Sequence, residues 1–150
     1  MYGIPGHISD YLEKTDLPET FLDMHLKQHQ SDSVRIALLK KYGGLWLDVD
    51  TILLQDVKEF CFNSTESNNK NIMCAIYNPQ CSTQQDGFQG NDRMESYFIM
   101  TTKNNPYIDK VHWTFNEFWK DVQGVPRNII EHPLFKGKVP VDFGCDMKEY

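Results

Sequence analysis

Gly43-Gly44 separates two runs of opposite period, and that junction most constrains the fold. On its N-terminal side Val34, Ala37, Leu38 and Tyr42 recur at helical spacing, with Ser31 or Asp32 placed to cap the first turn. Glycine suits the left-handed residue wanted after a helix, because it has no Cβ to clash. On the C-terminal side Leu45, Leu47 and Val49 alternate with Trp46, Asp48 and Asp50, the pattern of a strand. An extended backbone sends Asp48 and Asp50 to one side, about 6–7 Å apart. Two carboxylates so close resist burial unless something positive lies between them, and hard oxygen ligands suit Mg²⁺ or Mn²⁺.

The order Ser31-Asp32-x-x-Arg35, then Tyr42-Gly43-Gly44-x-Trp46-x-Asp48-x-Asp50, resembles the DXD region of nucleotide-sugar glycosyltransferases. The similar group is the capsular-polysaccharide-synthesis and initiating-mannosyltransferase type, akin to glycosyltransferase family 32. The likeness is strong over residues 30–57 and loose elsewhere. It implies an α/β, GT-A-like fold with a mixed sheet flanked by helices, forming one catalytic domain over residues 1–150. It also implies a metal-dependent hexosyltransferase of polysaccharide biosynthesis, retaining anomeric configuration, with a nucleotide-sugar donor and a glycan acceptor. Such folds build much of the nucleotide pocket before the DXD strand. Only 47 residues precede Asp48 and no alternating strand stands out among them, so the domain is expected to be truncated there or completed by a partner segment.

On that resemblance Asp50 binds the Mn²⁺ or Mg²⁺ directly, and Asp48 reaches ribose or donor-sugar hydroxyls, through the metal shell or directly. Both are therefore the catalytic candidates. Asp32 and Arg35, three apart on one helical face, would hold the donor sugar, with Arg35 also near the diphosphate or paired to a carboxylate. A late histidine serves some related transferases as an extra ligand, which makes His132 the third metal candidate. An ordinary surface histidine before Pro133 is the competing reading. Taken alone, Asp32–Arg35 would be a surface ion pair worth at most ~1 kcal/mol.

Other segments are expected as follows. Phe21, Met24 and Gln28, or Leu22 and Leu26, suggest a modest helix carrying His25 and His29, most simply solvent-facing. Thr51–Leu54 continues as apolar strand, leading to a short helix near Asp56-Val57. Ile72–Tyr77 and Tyr97–Thr101 read as further strands. Asn105 and Pro106 start a helix whose stripe is Ile108, Val111, Phe115, Phe118 and Val122, ended by Gly124. Trp113 and Trp119 fall off that stripe; core is the default, acceptor stacking the alternative. Glu95-Ser96 stands where the resembling family often has an asparagine near the acceptor. Asn63–Asn71 and Pro79–Asp92 read as loops, the second suited to closing over substrate.

A net charge of −6 argues against nucleic acid or an anionic membrane surface as partner. The apolar runs are too short to span a bilayer. Residues 1–7 lack the apolar core of a signal peptide, which favours the cytoplasm, with a Golgi lumen open if the chain is a fragment. Cys61, Cys74, Cys81 and Cys145 show no Cys-x-x-Cys spacing, so free thiols are expected rather than zinc, and two bridges would need an oxidising compartment. Asn63-Ser64-Thr65 fits a glycosylation acceptor pattern. Two alternatives stay beside the transferase. Asp48-Val49-Asp50-Thr51 after an apolar strand also fits a haloacid-dehalogenase-type phosphatase, and an inactive metal- or glycan-binding remnant would need no chemistry.

Overall fold

Helix α1, Lys27–Tyr42, carries the residues that organise the molecule. The computed structural model describes residues 7–57, 73–77, 94–120, 122 and 131–138. The helix begins a turn earlier than expected, because Gln30 Nε2 donates to the carbonyl of Phe21 at 3.0 Å and ties the incoming chain to the first turn. Ser31 and Asp32 therefore lie inside α1 and do not cap it. The expected helix through residues 21–28 is instead a 3-10 turn, Phe21–Asp23, whose Met24 exit residue is buried. His25 precedes α1 and is exposed, so only His29 is helical.

Gly43 ends α1 with φ 67°, its N–H donating to Leu39 O at 2.8 Å. A Cβ there would stand 2.5 Å from Lys103 N, so glycine is required by both conformation and space. The chain then enters β1, Gly44–Leu47, which pairs with β3, Met94–Thr101; β2, Met73–Tyr77, pairs with the other edge of β3. Both described pairings are antiparallel. The expected mixed sheet is thus not what the described strands form: β1 and β2 both run against the central β3.

Alternation divides the sheet into two faces. Ile99 and its partner Trp46 join Ile36, Leu39 and Ile108 beneath the helices, whereas Phe98 and Met100 pack with Leu47, Cys74 and Val57 on the opposite face. The second helix, α2, spans Pro106–Lys120. Asn105 Oδ1 accepts from Tyr107 N at 2.9 Å, the expected cap. Ile108, His112, Phe118 and Trp119 are its buried residues, and Phe118 and Trp119 join Met24 in a further cluster.

Strand β1 stops at Leu47. Thr51 N donates to Asp48 O at 3.0 Å, closing a turn through Val49 and Asp50. The expected extension over Thr51–Leu54 is not strand: Ile52 and Leu54 are 82% and 90% exposed, since nothing described pairs with this backbone. The expectations for Asn63–Asn71, Pro79–Asp92, Gly124, Cys61, Cys81 and Cys145 lie outside the described residues. Cys74 is a free thiol.

Candidate active site

Arg35 is the buried centre of a charge cluster whose two carboxylates, Asp32 and Asp48, are partly exposed. Only 6% exposed, it projects from the inner face of α1 to the place where β1 ends. Its Nη1 donates to the carbonyl of Ser96 in β3. Its Nη2 lies 3.3 Å from Asp32 Oδ1 and 3.4 Å from Asp48 Oδ1. The guanidinium also sits over the Trp46 ring, 5.3 Å from its centroid. Trp46 Nε1 in turn donates to Asp48 Oδ1 at 2.8 Å. One indole thus supports the cation with its face and orients the carboxylate with its N–H.

Local sequence explains the convergence. Asp32 and Arg35 share a helical face, one turn apart. Trp46 and Asp48 share a strand parity, and Asp48 keeps the ladder by donating its N–H to Tyr97 O at 3.0 Å. The Arg35–Ser96 bond joins residues 61 apart in sequence, which no local pattern signals. It puts the backbone of the Glu95-Ser96 position, not a side chain, against the cluster.

Asp32 carries an electrostatic penalty. Burial pushes its carboxyl above the ordinary value of 3.8, against the lowering pull of Arg35 and His29, and the neighbouring Asp48 adds to the rise. A carboxylate held uphill beside a fixed cation is a common mark of a functional site.

Asp50 is placed differently from the sequence expectation. The turn breaks the strand alternation, so Asp48 faces Arg35 while Asp50 is exposed in the turn, without an ion pair among the described residues. The donor set offers hard carboxylate oxygens, which fit Mg²⁺ or Mn²⁺ when other oxygens complete the shell. Among the described residues no group of three or more His, Cys, Asp or Glu side chains is placed to hold an ion. His132 is therefore not brought to Asp48 and Asp50. Its ring packs on Phe118 with centroids 4.9 Å apart, its Nδ1 accepts from Leu134 N at 3.2 Å, and its buried Nε2 has no hydrogen-bond partner among the described residues. The turn after Pro133 folds it into the apolar cluster instead of leaving it on the surface.

Trp119 is core, 2% exposed, whereas Trp113 is 48% exposed with Lys110 Nζ 4.3 Å above its ring. A residue the sequence reading passed over is His112, buried between Lys40 and the Asp16 carbonyl. Its position four residues after Ile108 and three before Phe115 is the sequence signal that sets it on the inner face of α2. No described helix is long and apolar enough to cross a membrane.

The family model described as capsular polysaccharide synthesis protein matches residues 4–137. Among curated proteins, the chain is 27% identical over 144 residues to the O-glycosyltransferase braB of Annulohypoxylon truncatum, covering 89% of this chain and 31% of that protein. It is 36% identical over 141 residues to the glycosyltransferase afumC of Aspergillus fumigatus, covering 88% and 33%. It is 28% identical over 120 residues to the probable glycosyltransferase FCK3 of Fusarium pseudograminearum, covering 77% and 28%. The chain thus spans about a third of the length of these relatives. No solved structure matches it significantly. Neither the geometry nor these similarities favour the phosphatase alternative, whose nucleophile at Asp48 would be tied to Arg35.

Proposed function

Because this chain belongs to the capsular polysaccharide synthesis protein family, we propose that it carries the donor-binding centre of a metal-dependent glycosyltransferase of GT-A type. The observation that carries the reading is the convergence of Asp32, Arg35, Trp46 and Asp48 next to the exposed Asp50 turn. The names of the similar fungal proteins support the transferase class.

In this reading Asp50 supplies the open carboxylate for a Mn²⁺ or Mg²⁺ ion, with Asp48 beside it. Bound there, such an ion neutralises charge on the departing nucleoside diphosphate. Arg35 is a positioning residue: its fork aims the Asp32 and Asp48 carboxylates, and its burial keeps that aim fixed. Asp32 and the outer oxygen of Asp48 accept hydrogen bonds from sugar or ribose hydroxyls. Transfer forms a bond from an acceptor oxygen to the anomeric carbon and breaks the bond from that carbon to the diphosphate oxygen. The bonding pair leaves with the nucleoside diphosphate, and the hydroxyl proton passes to the leaving group. Family resemblance points to a hexosyl donor and retained configuration.

Asp50→Ala tests this. We expect metal-dependent sugar-nucleotide hydrolysis or transfer to fall at least about a hundredfold, in the range of lost transition-state charge stabilisation, with little change in melting temperature because Asp50 is exposed. Unchanged turnover would discard the assignment.

A further inference from the structure

A second stripe runs along α2 beside its buried one: Tyr107, Val111, Thr114 and Phe118 recur at spacings of four, three and four. With Phe115, Trp119 and Phe135 of the 131–138 turn it borders a cleft of 470 Å³, a volume suited to a small organic molecule. Phe118 packs 5.4 Å from Trp119 and 5.6 Å from Phe135 between ring centroids, so the aromatic wall is built without a ligand. None of Asp32, Arg35, Trp46 or Asp48 lines this cleft, which makes it a place separate from the charge cluster.

Its charge runs against that of the chain. The sequence carries 21 acidic against 15 basic residues, yet the described lining includes Lys110 and no Asp or Glu. Asp109 and Glu117 of α2 stay outside it, and Glu117 already pairs with Lys120. The exposed Lys110 ammonium rests 4.3 Å above the Trp113 ring and has no carboxylate partner among the described residues. A cation over an exposed ring is weakly held, and the flexible lysine stem lets it leave for an anion. The hydroxyls of Tyr107, one turn before, and Thr114, one turn after, also lack a hydrogen-bond partner among the described residues and can donate to the same group.

An apolar wall beside one charged rim selects for a ligand of the same division. A ring body gains by burying its faces against the aromatics, and a single anionic group at the rim keeps part of its hydration. A sugar would set most of its hydroxyls against walls that cannot meet them. We infer that this cleft binds an amphipathic monoanion, an aromatic carboxylate whose rings lie against Phe115, Phe118 and Phe135 and whose carboxylate pairs with Lys110. It is a second site, independent of the donor-binding reading.

Calorimetric titration of the full chain with 1-naphthoate, 1-naphthylmethanol and acetate tests it. Saturable binding of 1-naphthoate is expected, weaker binding of the alcohol and no heat from acetate. Lys110→Met keeps the apolar stem and removes the charge; it should weaken naphthoate about fivefold, the scale of one exposed ion pair, and leave the alcohol unchanged. Lys110→Arg should restore naphthoate. Tyr107→Ala, which removes part of the wall, should weaken both naphthyl ligands several-fold, and Lys103→Met, a lysine outside the lining, should change neither. All three positions are exposed, so the substitutions leave the core intact. No saturable naphthoate binding, alcohol binding as tight as naphthoate, indifference to Lys110→Met or Tyr107→Ala, or a loss in Lys103→Met equal to that in Lys110→Met would each overturn the inference.

Discussion

Arg35 shows how much a single buried cation can organise. It is held by two carboxylates, one carbonyl and one indole face, so removing it leaves two like charges facing each other in a partly dry site. Arg35→Met is expected to destabilise by about 3 kcal/mol, the low end for breaking a buried pair because Asp32 and Asp48 keep side-chain exposures of 32% and 35%. Urea unfolding measures it, and a loss below about 1 kcal/mol would reduce the cluster to a surface ion pair. Asp32 should behave in the opposite way. Its carboxyl is raised in the folded state, so its contribution to stability is present below the ordinary 3.8 and is lost as pH rises through the folded value. At neutral pH Asp32→Asn is therefore expected to leave stability unchanged or higher while donor turnover falls, a split read by pairing thermal melts with sugar-nucleotide hydrolysis. Sequence spacing alone placed Asp32 beside Arg35, and strand parity placed Trp46 with Asp48. The Ser96 carbonyl that completes the cluster is set by β1–β3 pairing, which no short pattern encodes.

At the scale of elements, the junction between α1 and β1 was legible because glycine leaves a chemical mark. Gly43 and Gly44 both have positive φ, 67° and 102°, yet only Gly43 is closely approached by the Thr102–Lys103 backbone. Gly44→Ala is expected to cost about 1–2 kcal/mol from its conformation alone. Gly43→Ala adds a contact at 2.5 Å from a backbone nitrogen and should cost clearly more, a ranking that denaturant midpoints can check. The α2 cap at Asn105-Pro106 was equally readable, since both residues act locally. The start of α1 was not. Ser31 and Asp32 have the composition of a cap, but a distant contact from Gln30 to the Phe21 carbonyl extends the helix and turns Asp32 toward Arg35. The strand expected through Leu54 failed for a related reason. Apolar residues such as Val49 and Ile52 mark β-propensity, but a strand needs a neighbour, and the Asp48–Thr51 turn takes the backbone off the edge of β3.

Across the whole molecule, His112 joins three parts of the chain that no ladder connects. Lys40 Nζ of α1 donates to its Nδ1 at 3.1 Å, which fixes the proton on Nε2, and Nε2 donates to the Asp16 carbonyl at 2.7 Å. Asn116 stands 3.4 Å from the same nitrogen. The Asp16 carboxylate meanwhile accepts from Lys41 Nζ at 2.8 Å, so the N-terminal segment is held to α1 and α2 together. The network is consistent only with a neutral imidazole, because a protonated ring would bring a second N–H against the Lys40 ammonium. Burial is the largest influence lowering the His112 value below 6.5, and Lys40 adds to it, against the raising pull of the Asp16 carbonyl and the Asp16 and Asp109 carboxylates. The folded state thus binds fewer protons than the unfolded chain near that pH. The stabilising contribution of neutral His112 is complete above 6.5 and is lost as pH falls below 6.5 toward the depressed folded value. Melting temperature should therefore drop between about pH 7 and pH 5, before most carboxylates titrate. His112→Asn, which can still accept from Lys40 and donate to the Asp16 carbonyl, should start from lower stability and show a flatter profile over that interval. A variant profile as steep as that of the unsubstituted chain would assign the acid sensitivity to other groups and leave His112 as packing alone.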